Sequence, residues 1–314
     1  MLTEPPMNPP EAREQMAEIM FETFNVAGLY IGVQATLALY AQICSTGGEG
    51  GMEMGADNMT GAVIDSGDGV THVFPVCDGY VIGSCVKSIP LAGSDMTKFI
   101  ADEIKNRRED LPQGSLSEIA QKIKEDHCYV AKDLMSEFQK FDEKPEGEMV
   151  QSSRFKTFVH KTLSNKMCNV DVGYERFLAP EMFFHPEFMH PSWTKPLEQV
   201  VDECIQACPI HYRLKLYNNI VLSGGSTLFT GFDKRLQRNL QNVLDSRQAI
   251  SNALHNRNDT QSCKVSKNLV QAFAVWFGGS MIGSMDNFPQ ICKSREQYLE
   301  DGPSICRFNP IFNS

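Results

Sequence analysis

No stretch of the 314 residues stays apolar for the ~20 positions that a bilayer-spanning helix requires. The most hydrophobic segment, Leu29 to Cys44, is shorter than that and is interrupted by Gln34 and Gln42, so it reads as a core segment and no membrane insertion is expected. An excess of positive charge is missing too. Against 39 Asp and Glu stand only 29 Lys and Arg, a formal net charge of −10, which argues against the clustered basic face that phosphate-backbone binding uses, so no nucleic-acid partner is expected. The short cluster Lys105-Asn106-Arg107-Arg108 lies beside Glu109 and Asp110 and reads as a solvated helix end. None of the 10 cysteines forms a C-x-x-C pair. Cys204 and Cys208 are one helical turn apart, but His211 supplies only a third ligand, which leaves a tetrahedral zinc set incomplete. Met1 to Glu14 is rich in proline and acid and has no basic region followed by an apolar stretch, so it does not read as a secretory signal. Reduced thiols, no leader and no span together give the expectation of a cytoplasmic protein. A tandem repeat is absent as well.

What is present is an ordinary globular composition, 42% hydrophobic and 22% charged, long enough for about two domains. Glu11 to Phe24 places Met16, Ile19, Met20 and Phe24 at helical spacing behind Asn8-Pro9-Pro10. Leu29 to Val33 reads as a buried strand with Gln34 at its end, followed by a helix from Ala35 to about Ile43. Ser45 to Asn58, with five glycines and no periodicity, reads as a surface loop. Strands are expected between Gly61 and Ile82. A helix should start at Gly93-Ser94-Asp95, and others near Leu116 to Asp126 and Lys132 to Phe141. Asp142 to Lys166 is polar and reads as an insertion before the strand-like Cys168 to Val172. Prolines 180, 186, 191 and 196 punctuate a domain crossing near Trp193, ahead of a helix from Leu197 to Cys208. Helix and strand alternate thereafter, so the fold class is α/β.

Two glycine-bearing junctions carry the chemistry. Ala62-Val63-Ile64 leads into Asp65-Ser66-Gly67-Asp68-Gly69-Val70-Thr71-His72 and the returning Val73-Phe74-Pro75-Val76. Glycines around a carboxylate let main-chain N–H groups approach a phosphate while the acids face a cation, although the same turn could simply close a hairpin. Downstream, the apolar strand Asn219 to Leu222 ends in Ser223-Gly224-Gly225-Ser226-Thr227 and is followed by a helix-like Phe232 to Leu244, a second phosphate-friendly junction.

These two loops in this order, with Gln34 ahead of them and Val275-Trp276-Phe277-Gly278-Gly279-Ser280 behind, resemble the actin superfamily over nearly the whole chain. Ile19 to Asn25, Asp171 to Phe177 and the ending Gly302 to Pro310 are similar to the actin-related proteins of the Arp2/3 complex. The resemblance implies an actin-like (ribonuclease H-like) two-lobed ATPase fold. Residues 1–45 and 275–314 would form part of the first lobe, 46–91 and 193–274 the core of the second lobe, and 92–192 its outer part. It implies ATP or ADP with Mg²⁺ as cofactors. Asp65 would hold the metal's water shell, and Gly67, Asp68, Gly69 and Val70 would surround the phosphates, with Asp68 also near the ribose. Gln34 and His72 would orient a water. Gly93 is the next family contact, Lys124 and Glu125 would meet adenine and ribose, and Gly224, Gly225, Ser226, Leu228 and Phe229 would form the opposite wall. Read alone, His72 is a hydrogen-bonded strand residue and Lys124 and Glu125 face solvent.

The resemblance further implies a nucleation subunit whose work is assembly, with at most slow ATP hydrolysis. Its partners would be a second actin-related protein, accessory subunits of the Arp2/3 complex, actin and nucleation-promoting factors, within the cytoplasmic actin cytoskeleton. Alternatives are a conventional filament-forming actin, a sugar-kinase-type phosphotransferase and a truncated, nucleotide-free scaffold. Two departures from the family pattern bear on the site. The family's first phosphate loop, an Asp-x-Gly-Thr-Gly hairpin, is expected ahead of these residues and is not among them, which would leave Leu29 to Val33 short of sheet partners. Ala272 stands where a Lys or Arg usually meets the adenine.

Overall fold

The computed structural model describes residues 1–45, 59–107, 113–142, 155–161, 167–255, 260–309 and 311. Its centre is a six-stranded mixed sheet. Val265–Ser266, Ile220–Ser223 and Gly61–Ser66 run parallel, and Thr71–Cys77 returns antiparallel to the last of these. Tyr80–Val81 and Lys87–Ile89 share the outer edge of Thr71–Cys77. Side chains alternate across this sheet into two cores: Ala62, Ile64, Val73, Ile220 and Leu222 into one, Val63, Phe74, Val76 and Val221 into the other. A sheet covered on both faces selects unbroken apolar runs, which is why Ala62-Val63-Ile64 and Ile220-Val221-Leu222 show no polar alternation.

On one face lie the helices Gln34–Ser45 and Ala274–Gly283. They approach so closely that a Cβ on Gly278 would fall 2.7 Å from the Leu37 carbonyl carbon. The other face carries Leu197–Ala207, Ile210–Asn218 and Phe232–His255. The last of these runs well past the expected end at Leu244. From Asp245 onward no side chain of the helix is fully buried among the described residues, so the apolar stripe that marks it in sequence stops while the helix continues. Gly93–Arg107, Gln113–His127 and Glu175–Glu181 extend the same core outward. Lys105, Asn106 and Arg107 are exposed at the end of the first of these helices, as a solvated helix end would have them, and Arg107 also donates to the buried carboxylate of Glu175. Arg108 lies outside the described residues.

On the helix Leu134–Asp142, Phe138 and Phe141 pack with Phe155, Tyr174 and Phe177. Part of the segment read as an insertion is therefore ordered: Lys156–Lys161 pairs antiparallel with Met167–Val172. Residues 143–154 and 162–166 of that segment, and residues 46–58 of the glycine loop, lie outside the described residues. The thiols of Cys204 and Cys208 are fully buried and donate to the Val73 and Cys204 carbonyls at 3.7 and 3.3 Å. Burial pushes the Cys204 thiol up to about 12. Among the described residues no helix is long and apolar enough to cross a membrane.

The expectation that Leu29 to Val33 lacks sheet partners is corrected. Leu2–Glu4 runs parallel to Ile31–Val33, and Lys293–Ser294 runs antiparallel to Gly28–Leu29. Three-residue strands bury too few side chains to leave a period in the sequence. Their anchor is the fully buried Glu4 carboxylate, which accepts from Arg13 Nε at 2.6 Å, Asn8 Nδ2 at 3.0 Å and Asn309 Nδ2 at 2.7 Å. The expected helix beside them is Pro10–Glu18, continued by a π-helical turn, Ile19–Thr23, whose Phe21 stacks on Tyr298 with ring centroids 4.5 Å apart.

Candidate functional site

In the hairpin formed by Gly61–Ser66 and Thr71–Cys77, register sets Asp65 directly opposite His72 and Ser66 opposite Thr71. Thr71 Oγ1 donates to the Leu91 carbonyl at 2.6 Å, so the Ser66 hydroxyl, 2.7 Å away, donates to Thr71 and locks the base of the turn. Gly67, Asp68, Gly69 and Val70 project from it, all exposed.

The second junction meets this turn. Ile220–Ser223 lies alongside Gly61–Ser66 with Ser223 paired to Asp65, and the chain then bends at Gly224, where φ is 88° and ψ 155°. A Cβ there would sit 2.6 Å from the Ser66 carbonyl carbon, so only glycine lets the two backbones touch. Ser226 Oγ donates to the Gly67 carbonyl at 2.6 Å, and Gly93 N donates to the same oxygen at 3.1 Å. Ser94 donates to the Asp68 carbonyl from its amide at 2.8 Å and its hydroxyl at 2.7 Å. Lys124, buried, donates from Nζ to the Gly93 carbonyl at 2.9 Å. Gly67, Asp68, Gly93, Lys124 and Ser226 thus form one cluster, although they come from well-separated parts of the chain.

The electrostatics follow from burial. Desolvation raises the Asp65 carboxyl above its ordinary range, opposed by a hydrogen bond from Ser223 and by the nearby His72. Burial lowers the His72 imidazole, with Asp65 acting against it. The His72 Nδ1 lies 2.8 Å from Ser88 Oγ. Gln34 opens the helix Gln34–Ser45 and is half-buried. Phe229 is buried and Leu228 is exposed on the far junction, while Glu125 is exposed and accepts from Gln121 Nε2 at 3.0 Å. Sequence reasoning missed Ser88 and gave Ser223 no role. Their only signal is cross-strand register, which one chain read alone does not display. It also missed Gln271, whose Nε2 donates to Thr227 Oγ1 at 2.6 Å while its carbonyl accepts from Gly224 N at 3.1 Å.

The family described as Actin matches residues 1–309. The chain belongs to the actin family. Actin-related protein 3 of Drosophila melanogaster is 50% identical to it over the whole of this chain and 73% of its own length. Actin-related protein 3 of Caenorhabditis elegans is 48% identical over the whole chain and 72% of its own length. The actin-like α/β fold expected from the two loops agrees with this membership. Actin-family proteins bind a nucleotide with a divalent metal, and the residues present here fit such a group. A Cβ built on Gly67, Gly69 or Gly225 would meet nothing within 4 Å, so three glycines of the two loops border open space beside a partly buried carboxylate. Main-chain groups at these positions can be approached by a phosphate without side-chain hindrance.

Proposed function

We propose that this chain is an ATP-binding, actin-related subunit of the Arp2/3 complex and takes part in nucleating branched actin filaments. The observation that carries the reading is the Ser226–Gly67 hydrogen bond of 2.6 Å, which joins the two glycine junctions. Identity of 50% to a protein named actin-related protein 3 supports the assignment to that assembly. Its partners would be a second actin-related protein, accessory subunits, actin and nucleation-promoting factors, and its place the cytoplasmic actin cytoskeleton.

Asp65 would hold Mg²⁺ through water, because a hard cation that dehydrates reluctantly suits a single carboxylate and retained waters. The backbone of Gly67, Asp68, Gly69 and Val70 would line one side of the phosphates, and Gly224, Gly225 and Ser226 the other. Lys124, Glu125, Leu228 and Phe229 would border the base and ribose, with Gly93 fixing the floor. His72 and Gln34 would hold a water. Ala272, exposed beside the Gln271 brace, offers the base no cation, a loss of ~0.5–2 kcal/mol that weakens binding without abolishing it. When bound, ATP with its metal supplies a charge that both lobes can grip. It favours the closed arrangement only by the difference in its affinity for open and closed states. The three parts of the chain would divide the work: 1–45 with 275–314 on the first lobe, 46–91 with 193–274 as the core of the second, and 92–192 as its outer part.

Mg-ATP titration of the wild type against Asp65→Ala tests the metal role. The expected result is at least a tenfold weaker affinity in the variant, about 1.4 kcal/mol, with a smaller difference when Mg²⁺ is withheld. Equal affinities would remove Asp65 from the site. Co-purification with an actin-nucleating assembly tests the cellular role separately.

A further inference from the structure

Four strands of the central sheet place Ser223, Asp65, His72 and Ser88 in one cross-strand row, each residue paired with the next. Directly opposed side chains in a sheet share a face and lie within reach of one another. Asp65 has Ser223 as its cross-strand neighbour on one side. At the other end, Ser88 Oγ lies 2.8 Å from His72 Nδ1, and the Phe74 ring stands 5.6 Å from the imidazole and limits its tilt. Ser88 sits on the edge strand Lys87–Ile89, whose register is set by Thr71 opposite Ile89 and Val73 opposite Lys87, so its hydroxyl is delivered to Nδ1 by backbone pairing.

We propose that Ser88 is a positioning residue that selects the His72 tautomer: its hydroxyl accepts the Nδ1 proton, leaving the Nε2 lone pair as the imidazole's acceptor in the crevice. The proposal rests on the reading of His72 as a water-holding residue. Waters gathered around a cation beside Asp65 point their hydrogens outward, and a ring that meets them must offer a lone pair. A neutral imidazole with no partner at Nδ1 carries its proton mainly at Nε2 and would present a donor instead. A serine hydroxyl 2.8 Å from Nδ1 can donate or accept and so hold either tautomer without adding charge, and the outward-pointing water hydrogens favour the one in which it accepts.

The test is ¹⁵N NMR of the nucleotide-free full chain labelled at its 7 histidines, at a pH where the ring is neutral, with His72 assigned by His72→Gln. In the wild type the Nδ1 signal should be that of a protonated nitrogen and Nε2 that of an unprotonated one. Ser88→Ala should move the ring toward the Nε2-protonated form, and Ser88→Thr, which keeps the hydroxyl, should restore the wild-type pattern. A wild type already protonated at Nε2, or a Ser88→Ala pattern identical to wild type, overturns the proposal. The measurement needs no nucleotide, so a failure of Mg-ATP binding, which would sink the site reading, is seen separately by titration.

Discussion

Gly224→Ala is expected to lower the melting temperature by about 10 °C and to abolish measurable Mg-ATP binding. Two costs add. The backbone angles at Gly224, φ 88° and ψ 155°, fall in a region essentially reserved for glycine, worth about 1–3 kcal/mol. The new methyl would also press on the Ser66 main chain, which cannot step aside because the neighbouring Ser66 and Thr71 side chains lock the turn. Together these reach roughly 3–5 kcal/mol, and each kcal/mol moves the midpoint of a domain larger than 150 residues by about 2–4 °C. The binding loss follows from geometry. Displacing Gly224 separates Ser226 from the Gly67 carbonyl and so parts the two loops. Gly225→Ala is the control, because its Cβ enters open space: the melting temperature should stay within a degree or two while Mg-ATP affinity falls. Thermal unfolding by circular dichroism and calorimetric titration decide it. Wild-type behaviour of Gly224→Ala in both would mean that the junction is not held as described.

The contrast between those neighbouring glycines shows what was legible in the sequence. Both loops could be read because each is local: an apolar strand, a glycine turn and the element that follows are contiguous. That the loops converge came only through resemblance, since nothing in Ser226 itself announces that its hydroxyl reaches Gly67, 159 positions earlier. Lys124 is a sharper case. Its helix presents Ile119 and Ile123 to the core, and the amphipathic pattern alone assigns a neighbouring lysine to solvent. Its ammonium instead donates inward to the Gly93 carbonyl, a partner fixed by tertiary packing. Ser88 was invisible for a related reason: it lies on a three-residue strand whose register is set by hydrogen bonds rather than by any hydrophobic period. The Leu2–Glu4 strand escaped notice on the same grounds, and its buried glutamate reads in sequence as one more surface acid.

Arg235→Ala is expected to destabilise the chain by about 3–5 kcal/mol, because it leaves the fully buried Glu181 carboxylate without its arginine partner. In the native chain Arg235 Nη2 donates to Glu181 Oε1 at 2.8 Å and Nη1 to the Ala131 carbonyl at 2.8 Å, while the guanidinium lies 5.0 Å from the Phe184 ring centre. Burial raises the carboxyl groups of Glu181 and of nearby Glu198, with Arg235 and His185 acting against that rise in both. An acid whose folded pKa is raised binds its proton more tightly folded than unfolded. Stability therefore falls as pH climbs from the ordinary glutamate value of 4.5 through the raised value. Removing Arg235 takes away an opposing charge and carries that decline further upward. The variant's deficit in melting temperature should thus be smallest in acid and grow toward neutrality, and a deficit constant with pH would show that lost packing, not the bare carboxylate, is responsible. Glu198→Gln supplies the converse. Glu198 Oε1 accepts from Asn239 Nδ2 at 3.1 Å while Oε2 is buried and finds no hydrogen-bond partner among the described residues, so a neutral amide of the same shape should raise the melting temperature at neutral pH and flatten its fall. The double variant Arg235→Met, Glu181→Leu should recover most of the stability lost in Arg235→Ala, since apolar side chains of similar volume remove the buried charge together with its partner.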